Sequence, residues 1–511
     1  MPAKDFEMVF QAARLKSPPL VGLAKRHLES LRRRDFAAGA ALIDGRWIEG
    51  DQRDVVVDPA TGEVIAKVAC CRAVDMNLAI DAAERSFAEW RGLLPERRGA
   101  ILRSWASLML AHLEELAVLV TSEQGKPLAE ARYEIGYGAG FLQWFAAEGE
   151  RAYGETIPSH KPGNVLQVRM QPVGVAAAIT PWNFPVAMIA RKAGAALAAG
   201  CPVIVKPAPE TPLSALALAR LAQEAGVPSG VFQVLVGNPI ELSTPLLRDA
   251  RVRALSFTGS TEVGRLLLEG AARTVKKVSL ELGGHAPFII FDDVDLDKAV
   301  KGAMAAKFAT SGQDCLAANR IYVQRGVYSA FVEKFAAAIT RLKVGHGLDS
   351  ATEIGPMTKL SVADKCRAQI NEAAAKGARV ISAKQDEVFG QSFILPTLLS
   401  DVTDDMLIAS EETFGPVAAV LPFDSEGEVL ARANTSEMGL AAYVYTDSLR
   451  RALRVSENIE YGMVGINTAS FTGPPIPFGG WKQSGLGREG SRHGIQEYME
   501  LKYVCFGDLV D

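Results

Sequence analysis

The pattern that most restricts this chain is a strand-then-helix alternation repeated through its middle. Val173 to Ile179 is an apolar, β-prone run broken by Thr180-Pro181-Trp182-Asn183-Phe184-Pro185, after which a helix runs from about Val186 to Ala199. Pro202 to Val205 reads as a buried strand, and Lys206-Pro207-Ala208-Pro209-Glu210 as a turn. Thr211 is a residue type suited to a helix N-cap, with Pro212 at the first helical position, and that helix stops at Gly226. Val231–Val236, a loop and helix, Ala254–Phe257 and a helix from about Thr261 continue the series. Strands joined through helices are parallel neighbours with right-handed crossovers, so the expectation is an α/β fold built on a mostly parallel, doubly wound sheet.

The flanks are less regular. Residues 1–36 read as a polar lead-in with a Ser17-Pro18-Pro19 break and a basic helical face over Arg26–Arg34. Residues 42–57 read as short strands joined by Asp44-Gly45 and Gly50-Asp51, and 75–91 and 96–122 as amphipathic helices, the second with Leu102, Trp105, Leu108 and Met109 on one face. After Glu281-Leu282-Gly283-Gly284 a second α/β region runs from about Ala286 to Glu489, and Glu497–Phe506 reads as a terminal strand of the kind that pairs with another element or subunit. A length of 511 residues leaves room for several domains. The formal charge of -4 argues against recognition of nucleic acid by bulk charge and against a polybasic membrane binder. There is no secretory apolar core and no charge-free apolar run of membrane-spanning length, so a cytoplasmic location is expected. The six cysteines include no C-x-x-C pair and no zinc spacing, so no metal is expected, and each reads first as a small core residue.

Five positions carry chemistry, and each has a plainer reading. In Phe257-Thr258-Gly259-Ser260-Thr261-Glu262-Val263-Gly264, a glycine turn leads into a helix whose free N–H groups suit a phosphate. The segment is not G-x-G-x-x-G, and a structural turn is the commoner meaning. Lys206, at a strand end, suits a ribose or phosphate, against a snorkelling surface lysine. Cys315 follows a small-residue loop with the look of a helix start, a setting for an exposed thiolate nucleophile, against an inert buried thiol. Glu281 before two glycines suits a general base acting through water, against a solvated charge. Asn183 suits a donor to a developing oxyanion, against an ordinary turn residue.

In order along the chain, Thr180–Pro185, Lys206-Pro207-Ala208, Phe257–Ser260, Leu280–Gly284, Gly312-Gln313-Asp314-Cys315, Glu411-Glu412-Thr413-Phe414-Gly415-Pro416 and Pro477-Phe478-Gly479-Gly480 resemble the aldehyde dehydrogenase superfamily over about residues 40–510. The resemblance implies a doubly wound Rossmann-type cofactor domain (37–149 and 172–281), an α/β catalytic domain (282–491) and a small β oligomerisation arm (150–171 and 492–511), assembled as a homodimer or homotetramer. It implies oxidation of a small-molecule aldehyde to the acid. Cys315 is then the nucleophile, passing through a thiohemiacetal and a thioester, Asn183 with the Cys315 N–H the oxyanion donors, and Glu281 the activator of the hydrolytic water. NAD or NADP would lie along Thr180, Pro181, Trp182, Asn183, Lys206, Pro207, Ala208, Pro209, Gly259, Ser260, Gly264, Leu282, Glu412 and Phe414.

Ile189–Gly194, Gly226–Val231, Lys482–Gly490 and Glu497–Tyr503 are similar to the succinate-semialdehyde dehydrogenase group, which implies a carboxylate-binding role for Arg191, against a salt bridge to a nearby acid, and a hydroxyl role for Thr472. Three departures stand out. Ala309 replaces a second carboxylate-binding arginine, which opens space for a longer or bulkier keto- or carboxy-aldehyde, with Trp481 and the Phe471 region as aromatic walls. Ala317 replaces a redox-switch cysteine of some relatives. Pro209 replaces a ribose-binding glutamate of NAD-preferring ones, which implies that NADP is tolerated, with Glu210 next door leaving the preference open. Broad-specificity and CoA-acylating relatives, and a non-catalytic binding protein on the same fold, are the alternatives.

Overall fold

The computed structural model describes residues 39–384 and 390–507; the lead-in 1–36, with its Ser17-Pro18-Pro19 break and Arg26–Arg34 face, lies outside them. Two large sheets dominate. The first has eight strands, and at its centre five are parallel: Phe232–Val234, Val203–Lys206, Val175–Ile179, Val252–Thr258 and Lys277–Glu281, in that spatial order. Numbered along the chain, this is third, second, first, fourth, fifth. The strand order therefore reverses between Val175–Ile179 and Val252–Thr258, and the helices that follow these two strands leave to opposite sides. A crevice is left beyond their carboxyl ends, which is where open α/β sheets bind ligands. The hairpin Ala41–Ile43/Arg46–Ile48 closes one edge and Gly485–Leu486 pairs antiparallel with Leu280-Glu281 at the other.

The helix Ala187–Ala199 is buried along its whole length, which explains its composition: alanine and glycine let the backbone fit between the sheet and the helix Leu128–Glu150. The helix Pro212–Glu224 starts where the sequence places it, but the Thr211 hydroxyl is unpartnered. Glu123 caps that helix instead, accepting from Leu213 N at 2.7 Å and Ser214 N at 2.8 Å. Burial pushes this carboxyl up to about 8, and its two oxygens, from a distant helix end, meet two N–H groups at once. The single helix expected over 96–122 is two, Pro95–Ala111 and Leu113–Gln124, because His112 leaves the helical region (φ -108°, ψ 29°) and re-aims Leu116, Leu119 and Val120 into the core.

The second sheet has seven strands, parallel apart from the edge strand Arg379–Ser382, with Ala286–Ile290 and Ala318–Gln324 adjacent near its middle. A separate three-stranded antiparallel sheet joins Glu155–Ile157, Val165–Pro172 and Met499–Phe506. Cys71, Cys201 and Cys366 are buried as expected of core residues, whereas Cys505 is exposed on the outer strand of this small sheet and Cys70 is half-buried. Among the described residues, no helix is long and apolar enough to cross a membrane.

Candidate active site

The crevice at the strand reversal opens into a cavity of about 570 Å³. Its floor is the Cys315 loop, which runs from the helix Leu296–Phe308 into the strand Ala318–Gln324. This loop is not the helix start read from the sequence. Thr310, Ser311 and Gly312 are successive left-handed residues, with φ of 50°, 56° and 74°. Non-glycine residues there cost about 1 kcal/mol or more each and persist only when held from outside. Here Thr310 N donates to Glu130 Oε2 at 2.9 Å, and Ser311 Oγ accepts from Gly355 N at 2.8 Å. A Cβ at Gly312 would lie 2.3 Å from Gly415 O, so the turn admits glycine alone there. The result presents Cys315, half-buried, to the cavity. Burial, then Asp314, Glu412 and Glu281, push its thiol well above the ordinary value, with Arg191 opposing.

Asn183 also lines the cavity, from the turn after Val175–Ile179. Its Nδ2 donates to Gln313 O at 3.0 Å, which engages one of the two amide protons and leaves the other for a ligand. Glu281 ends the strand Lys277–Glu281, as expected, but it is buried and does not line the cavity. It is not the solvated charge of the plainer reading either. Among the described residues neither carboxyl oxygen has a hydrogen-bond partner, and the missing side chain of Gly479 lets the group lie against backbone, with 2.9 Å from Oε1 to where a Cβ would stand. Burial and the neighbouring Glu489 push its pKa well up, against Lys192, Arg191 and Arg488. The two glycines after it serve close approach: a Cβ at Gly284 would sit 2.2 Å from Cys315 O, and one at Gly283 3.2 Å from Glu412 Oε2.

Arg191 is where both of its sequence readings meet. It lines the cavity and is also salt-bridged, Nη1 to Glu489 Oε2 at 3.3 Å, with Nη2 donating to the Tyr137 hydroxyl at 3.2 Å. Its guanidinium lies 4.2 Å from the Phe478 ring centroid, and its Nε is buried without a partner. Glu489 also pairs with Lys192, so one carboxylate serves two cations. Burial raises the Glu489 carboxyl, but Lys192 and Arg191 outweigh it and keep the group below its ordinary value. Ala309 and Thr472 line the same cavity.

The expected aromatic walls are corrected. Trp481 is 49% exposed on a two-residue strand, and Phe471 packs edge-on against Tyr443; neither lines the cavity. The aromatic walls are Tyr133, Tyr137, Trp182, Phe184, Phe414 and Phe478. Glu130, Tyr133 and Tyr137 stand three and four residues apart on the helix Leu128–Glu150, a one-face spacing that is visible in the sequence.

On the crevice side, Pro181, Trp182, Gly259, Ser260, Leu282, Glu412 and Phe414 line the cavity. Trp182 meets Phe414 edge-on with centroids 5.4 Å apart. Glu412 Oε1 accepts from Gly284 N at 3.0 Å, and burial pushes its carboxyl up to about 7. Ser260 caps the helix Thr261–Ala272, and Gly264 on that helix lets it pack on Leu282, whose Cδ2 would be 2.4 Å from a Cβ. Lys206, Pro207, Ala208, Pro209 and Thr180 do not line the cavity; they stand at or just beyond the carboxyl ends of the neighbouring strands. Lys206 is buried rather than snorkelling: burial lowers its ammonium to about 8, and it donates to Pro207 O at 3.0 Å. The Thr180 and Thr258 hydroxyls at the reversal are buried without partners among the described residues. Unspent donors along a crevice at a strand reversal fit a dinucleotide.

A half-exposed cysteine, an amide and a buried carboxyl gathered beside such a crevice are the parts of a thiol-dependent aldehyde oxidation. The pattern of the aldehyde dehydrogenase family matches residues 47–504, and the chain belongs to that family. Aspartate-semialdehyde dehydrogenase (non-phosphorylating) of Halomonas elongata is 53% identical over 471 residues, 92% of this chain and 96% of the relative. The NADP(+) succinate-semialdehyde dehydrogenase of Escherichia coli is 52% identical over 469 residues, 91% of this chain and 97% of the relative. The crystal structure of succinate-semialdehyde dehydrogenase from Burkholderia pseudomallei superposes with a TM-score of 0.91 at 50% identity, covering 93% of this chain and 98% of that one.

Proposed function

We propose that this enzyme oxidises a carboxylate-bearing semialdehyde to the acid with NAD or NADP. The observation that carries the reading is the convergence of Cys315, Asn183 and Arg191 on one cavity that opens onto the strand-reversal crevice. Lys206 and Ser260 would hold the adenosine and phosphate portions there, Glu412 a ribose, and Trp182 and Phe414 the ring. When bound, the dinucleotide supplies the hydride acceptor.

The rest is the chain's own work. Cys315 Sγ, once deprotonated, adds to the aldehyde carbon. The second Nδ2 proton of Asn183 and the Cys315 N–H meet the oxyanion, each such donor contributing about 3–4 kcal/mol. The oxidised adduct is a thioester on Cys315. Glu281 then takes a proton from the water that attacks it, and Cys315 leaves as the thiolate. Arg191 supplies the anion anchor: its Nε has no partner among the described residues, and two cations share one carboxylate, so the cluster accommodates an incoming negative group. Both curated relatives named above act, by their names, on semialdehydes that carry a carboxylate.

NADP use is supported by the Pro209 turn, which offers no carboxylate, and by Glu210, whose carboxylate is taken up by Lys359 at 2.8 Å. The domain roles follow the boundaries given above: 37–149 with 172–281 for the cofactor and 282–491 for catalysis. The same reading has the small antiparallel sheet as a subunit-pairing arm of a cytoplasmic homodimer or homotetramer. In its support, Leu501 and Tyr503 on the outer strand are 70% and 55% exposed.

The test is a panel of the semialdehydes of succinate, aspartate and glutarate, with neutral aldehydes beside them, run with both cofactors and followed by absorbance of the reduced dinucleotide. Arg191→Ala is expected to raise KM for carboxylate-bearing aldehydes by about 10- to 100-fold, the loss of a charge-assisted hydrogen bond. It should leave KM for neutral aldehydes nearly unchanged; any fall in kcat, from the loss of a cation that lowers the Cys315 and Glu281 pKa values, should be shared by both substrate classes. Lys192 keeps Glu489 paired in this variant, so no lone buried charge is created. Equal effects on KM for charged and neutral aldehydes would reject the anchor.

A further inference from the structure

The turn that carries Asn183 is held by a buried ion pair that the chemistry above does not use. Lys126 and Glu134 have fully buried side chains, with Nζ 2.8 Å from Oε2. Lys126 Nζ also donates to the Asn183 main-chain carbonyl at 2.7 Å and lies 3.9 Å from the Phe184 ring centroid. Glu134 Oε1 accepts from Val186 N at 2.8 Å and Ala187 N at 3.1 Å, the start of the helix that carries Arg191. Replacing a fully buried ion pair by apolar residues is often neutral or stabilising, so stability is a poor reason for this one. Its placement suggests a better reason.

The hydrogen bonds close a ring. From Lys126 the path runs to Asn183 O, then from Asn183 Nδ2 to Gln313 O at 3.0 Å. Gln313 Oε1 accepts from Thr358 N at 2.9 Å, and Thr358 Oγ1 donates to Gln124 O at 2.6 Å, two residues before Lys126. Gln313 itself stands two residues before Cys315. The segment Gln124–Lys126 therefore grips the amide donor from one side and the nucleophile loop from the other. An oxyanion donor works only if it is aimed before charge develops, and a displacement of about 1 Å can cost 10²-fold in rate.

We infer that Lys126, backed by Glu134, is a positioning residue that sets the Asn183 amide against Cys315. This rests on the reading of Asn183 as an oxyanion donor.

The test is a double-mutant cycle with kcat, KM and thermal unfolding as readouts. Asn183→Ala should lower kcat by about 10²-fold or more. Lys126→Met should lower kcat by about 10- to 100-fold in the otherwise unchanged enzyme, with KM moving far less. In the Asn183→Ala background it should cost less than about 2-fold, because the group it aims is gone. Lys126→Met leaves Glu134 unpaired and can fail to fold, so the variant Lys126→Met with Glu134→Gln, which buries no lone charge, carries the same comparison. Equal losses in both backgrounds, as a purely structural role would give, overturn the inference, as does full kcat in a folded Lys126 variant. Asn183→Ala with undiminished kcat overturns the oxyanion reading itself.

Discussion

Cys315→Ala is expected to abolish aldehyde oxidation, by about 10⁴-fold or more, as removal of a nucleophile does elsewhere. Dinucleotide binding should persist, because the crevice residues Ser260, Glu412 and Phe414 do not depend on the thiol; binding is read by protein fluorescence quenching. An aldehyde is a poor hydride donor until it carries an oxyanion, and no other cysteine stands in a position to create one. Cys71, Cys201 and Cys366 are buried in cores, Cys70 is half-buried just after the strand Val64–Ala69, and Cys505 lies on the small antiparallel sheet. The thiol is also held in its protonated form by burial and by Asp314, Glu412 and Glu281. Alkylation of Cys315 by iodoacetamide should therefore accelerate with rising pH through and above the ordinary thiol range, and Cys315→Ala should remove that component. A Cys315→Ala protein that still oxidises aldehyde would end the mechanism.

Glu281→Gln is expected to lower steady-state turnover by about 10²- to 10⁴-fold, the range for a lost general base. Its signature is a burst: one reduced dinucleotide per active site, then a slow phase while the Cys315 thioester waits for water. The sign of the pH effect follows from the direction of the shift. A carboxyl whose pKa is raised stays protonated, and useless as a base, at pH values where an ordinary glutamate is ionised. Deacylation should therefore rise with pH above the usual carboxylate range, and Glu281→Gln should lose that limb. The same substitution removes one of the groups that raise the Cys315 pKa, so alkylation of the thiol should become faster at a given pH. Turnover that keeps its pH limb would assign the base to another group, and slower alkylation would mean that Glu281 takes the thiol proton instead of opposing its loss. Glu281 does not line the cavity, so its action requires the carboxyl to reach the water from its place beside Gly479.

Much of this molecule is local in origin and was legible in the chain. The apolar runs at Val175–Ile179, Val203–Lys206 and Val252–Thr258 become strands because β-prone apolar residues between turn formers have little other choice. The helices between them force parallel neighbours. Cys315, Asn183, Glu281 and Glu412 could be singled out because their chemistry stands in short, ordered motifs. Helix capping was less legible. Thr211 has the right type at the right position, yet Glu123 does the capping from 90 residues away, and no local rule contains that contact.

What the sequence by itself determined is the alternation, the doubly wound sheet and the identity of the reactive groups, since each depends on residues near one another in the chain. The tertiary structure alone decided their environments. It paired Arg191 with Glu489 across 298 residues, withdrew Glu281 from the cavity wall, and replaced the expected aromatic walls by Tyr133 and Tyr137. It also tied Lys126 to Asn183. These are long-range contacts, set by how helices and loops from distant parts of the chain pack around one sheet reversal, and the charges they bury or satisfy are what tune the site.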